Sequence, residues 1–157
     1  MTKNATDPTV RSSVTWDRAA VEPALRIAVR IVVAVGLIAD AWIHFDLASH
    51  YDVVRAQISE GTLFRLESLV AAITALLVIA IHRRITLVLA FLVAGSAVAA
   101  LLLSTYSDPG QIGPLPDMYE PTWFTEKSLA LVAELVAAGA ALIGVALETR
   151  SGRHRRG

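Results

Sequence analysis

The chain contains no cysteine, and charged residues make up only 18% of its 157 residues. Without cysteine there is no disulfide framework, thiolate nucleophile, zinc finger or cysteine-bound iron–sulfur cluster. Lys and Arg together number 14, as do Asp and Glu, and this formal net charge of zero argues against nucleic acid as a partner. Hydrophobic residues supply 55% of the chain, and the mean hydropathy is +0.57. These values are too apolar for an ordinary soluble domain of this length, so the composition predicts an integral membrane protein.

Four apolar stretches have the length that a helix needs to cross about 30 Å of hydrocarbon. The clearest is Ile85 to Ser107, which carries no formal charge. We predict spans at about 25–47, 62–82, 85–106 and 127–147. The predicted fold class is therefore all-α, a bundle of four transmembrane helices. It gives a membrane domain over 24–149, between an N-terminal tail (1–23) and a basic tail (150–157).

The first of these stretches is the least regular, because Arg30, Asp40, His44 and Asp46 interrupt it. The Ala-Asp-Ala sequence around Asp40 is similar to a signal-peptidase site, so cleavage is the alternative to a retained helix. The polar leader, at about 25 residues, is longer than that of a signal peptide, and apolar residues continue past the cleavage site. We therefore expect the first helix to be retained.

Lys and Arg are distributed unevenly between the two sides that four spans define. All but three of the 14 lie on the side of the two termini, and the other side has only Arg55, Arg65 and Lys127. Basic flanks of spanning helices stay in the cytoplasm. We therefore predict that both termini are cytoplasmic in a bacterial plasma (inner) membrane. The lipid bilayer is the expected partner, together with a second copy of the chain or a larger membrane complex.

The two outer connections differ in composition. Residues 48–61 are expected to form either a short interfacial helix or a plain connector. Residues 108–124, here called the proline-rich segment, contain four prolines and two glycines, which exclude a regular helix or strand. This segment also carries Asp117, Glu120 and Trp123, and its aromatic residues are typical of a membrane interface. We expect it either to cover the outer end of the bundle as a lid or only to anchor the fourth helix.

Ionisable residues inside the spans are costly in lipid, so they face the bundle interior or water. At 1.5 Å per residue, acids from three different spans fall in one layer in the outer half of the bundle. A histidine four residues from one of these acids shares its helical face. The candidate ligand- or ion-binding residues in this polar layer are Asp40, His44, Glu67 and Glu134.

Two interpretations of the polar layer involve no catalysed reaction. In the first, it is a structural network in which Arg65 and Lys127, entering from the outer end, neutralise two acids while His44 pairs with Asp40. In the second, it binds a small ligand, an ion or a partner, supported by the acids and Trp123 of the proline-rich segment. A histidine among carboxylates suits Zn²⁺, Mn²⁺ or Fe²⁺, and also a proton relay, although the sequence has no compact metal motif.

A third interpretation is a small membrane enzyme in which Glu67 or Glu134 is the general base and His44 assists. The sequence has no nucleophile elbow, P-loop or dinucleotide-binding fingerprint, so we assign no catalytic residue. We therefore expect a non-enzymatic binding protein, with an accessory structural subunit of a membrane complex as the alternative.

The sequence also resembles known membrane proteins. Residues 113–127 (GPLPDMYEPTWFTEK), with His44 near the end of the first helix and Glu134 in the fourth, look like a group of small uncharacterised four-span bacterial membrane proteins. The four-helix plan, with Glu67 early in the second helix and Arg83 and Arg84 closing it, is similar to that of the DoxX-like membrane proteins. The resemblance covers most of the chain outside the two tails. It implies the four-helix fold and no established reaction.

Overall fold

The structure is a computed structural model that describes residues 18–154. Four helices account for most of this range: α1 (Arg18–Leu47), α2 (Glu60–Ala80), α3 (Arg84–Tyr106) and α4 (Thr125–His154). The described residues form no strand, only two isolated bridges in the connections, so the all-α prediction is confirmed. Residues 1–17 of the predicted N-terminal tail and 155–157 of the basic tail lie outside the described residues.

Three helical stretches are long and apolar enough to cross a membrane. They are Glu60–Ala80, Arg84–Tyr106 and Thr125–Thr149. These three overlap the second, third and fourth predicted spans, and they fit a protein embedded in a membrane. Helix α1 covers the first predicted span and places Arg30, Asp40 and His44 within its length.

The packing order of the helices determines which side chains can meet. Helix α1 packs against α2 and α4, α3 packs mainly on α4 and less closely on α2, and α1 and α3 barely touch. Residues 81–83 join α2 to α3 in a tight turn, where the Ile81 N–H donates to the Leu77 carbonyl oxygen at 2.9 Å. This turn defines the hairpin end of the molecule. The opposite end, formed by residues 48–59 and the proline-rich segment, is called the lid end below.

Small residues fill the interior, and large apolar residues face outward. Trp42, Leu76 and Ile85 are 71%, 69% and 67% exposed. Small interior residues let helix backbones approach closely, and lipid can cover an apolar outer surface that water would not tolerate at this extent. The buried core consists of Val33, Ala34, Leu37, Ala41, Ala71, Ala75, Val78, Leu87, Ala90, Ala94, Ala137, Ala138 and Ala141.

Arg30 is the largest exception to this apolar interior. It is buried near the hairpin end, although the sequence analysis counts it among the basic residues that flank the spans on the side of the termini. Its guanidinium donates hydrogen bonds to the carbonyl oxygens of Val78 (2.9 Å) and Ile81 (3.2 Å) and to Thr86 Oγ1 (3.2 Å). It also donates to Glu148 Oε1 at 2.6 Å in an ion pair. Arg30 therefore connects α1 to α2, α3 and α4.

The two connections at the lid end are irregular and bonded to each other. Residues 48–59 contain turns and bends, so the interfacial helix expected as one alternative does not form there. The Ile58 N–H donates to the Pro114 carbonyl oxygen at 3.2 Å, and the Glu120 N–H donates to the Ser104 carbonyl oxygen at 2.9 Å. The proline-rich segment is thus joined both to the first connection and to the end of α3.

Replacing Arg30 should destabilise the protein strongly, because removing one partner of a buried ion pair leaves the other charge unpaired. We expect Arg30→Met to lower the free energy of unfolding by about 3 kcal/mol, measured by SDS titration in mixed micelles. Arg30→Lys should recover only part of this loss, because an ammonium group lacks the planar fork that reaches several acceptors. Arg84→Met is the control, since Arg84 is exposed at the same end. Equal losses in the Arg30→Met and Arg84→Met variants would contradict the role assigned to Arg30.

Candidate functional site

A cavity of about 270 Å³ lies at the lid end, between the helices and the proline-rich segment. All four helices contribute to its mostly apolar walls, and Met118, Glu120 and Phe124 of the proline-rich segment also line it. The segment therefore forms part of the wall, as the lid alternative predicts. The polar side chains that line the cavity belong to His44, Tyr51, Glu60, Glu67, Ser104, Glu120 and Lys127.

The charges in the cavity wall are unbalanced. Glu60, Glu67 and Glu120 face one lysine, Lys127, so the lining carries two more formal negative charges than positive ones when His44 is neutral. Its volume is close to the lower bound of about 300 Å³ for pockets that hold drug-sized ligands. The cavity therefore suits a small ligand with an apolar body and a positive charge.

The first turn of α2 positions one wall of the cavity. Ser59 caps the helix, since its Oγ accepts a hydrogen bond from the Thr62 N–H at 3.1 Å. Glu60, Leu63, Phe64 and Glu67 follow at helical spacing, so one face of α2 presents two acids and two apolar residues to the cavity.

Aromatic rings surround the same space. The Phe64 ring lies 5.2 Å from the His44 ring, edge to face, and 4.9 Å from the Tyr51 ring, measured between centroids. Burial raises the pKa of the Tyr51 phenol, and the charges of nearby glutamates add to this rise. Tyr51 is therefore neutral at physiological pH and available as a hydrogen-bond donor.

Beneath the cavity, three members of the predicted polar layer converge. Asp40, His44 and Glu134 each offer a ligand atom within 4.8 Å of the other two. Asp40 is 0% and Glu134 1% exposed, whereas His44 also lines the cavity. The His44 Nδ1 lies 2.8 Å from Asp40 Oδ1, so the predicted pairing of these two residues is confirmed. Glu67 lines the cavity, and one of its carboxylate oxygens is buried.

The predicted neutralisation of the layer by Arg65 and Lys127 is wrong. Arg65 forms a bidentate ion pair with Asp52 of the first connection, with both N–O distances at 2.7 Å. This pair lowers the pKa of the Asp52 carboxyl. Arg65 pairs there because its side chain is exposed at the helix surface, where the connection folds back on it.

Lys127 also has other partners. Its Nζ donates to the Glu120 carbonyl oxygen and, at 3.4 Å, to the Thr122 carbonyl oxygen. It lies 5.6 Å from the centroid of the Trp123 ring. The free carbonyl groups of a proline-rich backbone compete for this cation, so Lys127 fastens the segment to α4 instead of neutralising the acids below it.

The supporting acids of the proline-rich segment stabilise its own backbone. Asp117 Oδ1 accepts a hydrogen bond from the Tyr119 N–H at 3.0 Å, and Glu120 Oε1 accepts one from the Thr122 N–H at 3.1 Å. Only Glu120 of these two also lines the cavity. Gly110 and Gly113 adopt positive φ angles of 65° and 57°, which favour glycine.

Sequence reasoning missed Glu60, Tyr51 and Phe64 as cavity residues. A signal for two of them was present, because positions 60, 64 and 67 share one face of α2, and Glu67 was already a candidate. Tyr51 lies in an irregular connection, where no periodicity indicates which residues face inward. No protein-family model, curated protein or solved structure matches this chain. The resemblance to DoxX-like membrane proteins therefore stays a prediction.

Gly61 should be essential for the shape of the lid end. A Cβ atom at this position would lie 2.2 Å from the Ala48 carbonyl oxygen and 2.4 Å from Asp52 Oδ1, so Gly61→Ala forces the first connection away from α2. We expect this variant to lose about 1–3 kcal/mol of unfolding free energy, the usual cost of overpacking. Gly95→Ala is the control, since nothing lies within 4 Å of its added Cβ. A Gly61→Ala variant as stable as the Gly95→Ala variant would contradict this close packing.

Proposed function

We propose that this protein is a four-span protein of the bacterial plasma membrane that binds a small organic cation at the lid end. In this proposal both termini are cytoplasmic, and the lid end faces the outside. The observation that carries the binding proposal is the cavity, because its lining combines apolar walls, aromatic rings and an excess of carboxylates. Kinship with the DoxX-like group of small four-span membrane proteins belongs to the same proposal.

The sidedness of α1 supports a fourth span. Arg30 and Asp40 are buried against the other helices, so these two charges are turned away from the outer surface of α1, whereas Glu22 and Asp46 are exposed nearer its two ends. Large apolar residues exposed along α1 recur at intervals of three or four, as one lipid-facing stripe requires. They include Ile31, Val35, Ile38, Trp42 and Phe45.

The charge pattern supports the proposed orientation. The hairpin end carries the exposed residues Arg83 and Arg84, and the first half of α1 and the last turns of α4 meet there around Arg30 and Glu148. Of the three basic residues at the lid end, Arg65 is paired with Asp52 and Lys127 with backbone carbonyls. A weakly basic lid end is typical of an outer face.

An organic cation fits the cavity better than a neutral or anionic ligand. Buried carboxylates favour a positive charge that reduces their mutual repulsion, and they oppose an anion. Tyr51, Phe64 and Phe124 line the cavity, and an aromatic ring that turns its face to an ammonium group attracts it by cation–π interaction. The chain's own cation in this wall, Lys127, is held by backbone carbonyls.

A structural role for the polar layer is the competing function. Such a network normally satisfies its buried groups, because a partly satisfied one costs more than apolar packing. Asp40, Glu67 and Glu134 instead contain buried carboxylate oxygens without a hydrogen-bond partner within residues 18–154. This favours a layer that is completed by a bound species.

Topology reporters should place the lid end outside. A phosphatase fused at Asp117 should be active, and a fluorescent protein fused after Gly157 should be fluorescent, since each reporter works on one side of the membrane only. A tag at the N-terminus should be accessible only from the cytoplasm if α1 spans. An externally accessible N-terminus with a cytoplasmic C-terminus would instead leave three spans, and a cytoplasmic Asp117 would contradict the orientation.

Benzyltrimethylammonium should bind the purified protein saturably, at about one equivalent in equilibrium dialysis with metal chelated. Glu60→Gln and Glu67→Gln should each weaken binding about tenfold, since about 1.4 kcal/mol of lost attraction gives this ratio. Both substitutions remove a charge and keep the side-chain shape. The control is Asp46→Asn, which removes an exposed acid of α1 that does not line the cavity.

Two further measurements decide between binding and structural roles. Neopentylbenzene, the neutral isostere of the probe, should compete poorly if charge drives binding. Equal affinity in the wild type and both glutamate variants would contradict the proposal. Absence of saturable binding by the wild type, together with a lowered unfolding temperature of both variants, would establish the structural role instead.

A further inference from the structure

The cluster beneath the cavity has a separate chemistry from the cavity itself. Asp40 and His44 lie one turn apart on α1, and Glu134 faces them from α4. Neither Asp40 nor Glu134 lines the cavity, and only His44 belongs to both. A species bound by this cluster would therefore be distinct from a ligand of the cavity.

Two carboxylates in this cluster are fully buried, with one histidine beside them. Asp40 is 0% and Glu134 1% exposed, and all four of their carboxylate oxygens lack a hydrogen-bond partner within residues 18–154. The His44 Nδ1 lies 2.8 Å from Asp40 Oδ1 and 3.1 Å from the Asp40 carbonyl oxygen, so an imidazolium there pairs with Asp40 and leaves Glu134 without an ion pair within residues 18–154. Burying a carboxylate in this way is unfavourable unless a cation or a proton neutralises it.

Three cations of the surrounding helices are engaged elsewhere. Arg30 pairs with Glu148 at the hairpin end, Arg65 pairs with Asp52 at the surface, and Lys127 bonds to backbone carbonyls. Glu67 adds a third carboxylate, close enough for its charge to act on Asp40 and His44. The cluster is thus a concentration of negative charge with histidine as its single basic member.

From this geometry we infer that Asp40, His44 and Glu134 bind one divalent transition-metal ion, with Zn²⁺ as the best match. One imidazole nitrogen and carboxylate oxygens are donors that such ions prefer. With metal–ligand bonds of about 2.1 Å, tetrahedral donors lie about 3.4 Å apart. The present donors lie within 4.8 Å of one another, so small side-chain rotations bring them into range. Glu67 or water from the cavity completes the coordination.

The cavity provides the path by which the ion enters. His44 and Glu67 line it, whereas Asp40 and Glu134 do not, so an ion that enters the cavity meets a ligand nitrogen and a carboxylate before the two fully buried acids. An open coordination position would face the cavity and its apolar walls. A bound ion would thus be accessible from the lid end, while Asp40 and Glu134 remain shielded from water.

The test uses the full chain without a histidine tag, stripped with chelator and dialysed against Zn²⁺. Elemental analysis should give one tightly bound equivalent per chain. Co²⁺ in its place should show the intense visible absorption of a four-coordinate nitrogen–oxygen site. Asp40→Asn, His44→Gln and Glu134→Gln should each weaken Zn²⁺ binding at least 100-fold, beyond the 10-fold to 100-fold cost of losing an outer-shell partner.

The controls separate this site from surface histidines and from the cavity. His50→Gln and Asp46→Asn should retain the full Zn²⁺ equivalent, because both residues are exposed. Glu134→Gln should lose Zn²⁺ and keep benzyltrimethylammonium binding, whereas Glu60→Gln should do the reverse. Zn²⁺ binding that survives in all three ligand variants, or no bound equivalent in a folded wild type, would overturn the inference whatever the cavity binds.

Discussion

The buried guanidinium of Arg30 is the contact on which the rest of the structure depends. It lies where α1 meets the end of α2, the start of α3 and the last turns of α4, and it bonds to all three. Helices with small, mostly apolar interior faces can slide and rotate against one another at little cost, because alanine against alanine specifies position weakly. A buried charge with four directed hydrogen bonds allows one register. Arg30 therefore sets the rotation of α1, and through it the direction in which Asp40 and His44 point.

The lid end is held by many smaller contacts instead of one strong one. The Asp52–Arg65 pair is exposed and adds little free energy by itself. Three contacts each fix one stretch of backbone there. They are the close approach of Gly61 to the first connection, the Ile58–Pro114 hydrogen bond and the Lys127 contacts with the proline-rich segment. Together they keep a cavity open beneath a stiff cover. An end built in this way can admit a ligand without unpacking the core at the hairpin end.

The sequence predicted what depends on spacing along one helix and failed where partners lie on different elements. The all-helical fold follows from the length of the apolar runs, and the contact of His44 with Asp40 follows from their spacing of four; both are confirmed. The partners of Arg65 and Lys127 were predicted wrongly, because a flexible connection and free backbone carbonyls compete for a long cationic side chain. Arg30 was counted as a flank because its burial depends on the tilt of α1 against three other helices, which no local pattern encodes.

Buried charges occur at two places in this structure, and their partners differ. At the hairpin end, Arg30 and Glu148 complete each other, and the neighbouring carbonyl oxygens use the remaining donors of the guanidinium. That is the arrangement expected when a buried charge serves stability alone. In the layer below the cavity, Asp40 and Glu134 are buried as deeply, yet all four of their carboxylate oxygens lack hydrogen-bond partners among the described residues. The same fold thus supplies hydrogen bonds to a buried arginine at one end and, within residues 18–154, supplies none to the two buried carboxylates at the other. One histidine against two buried carboxylates leaves a negative charge, and the metal ion proposed above would balance it.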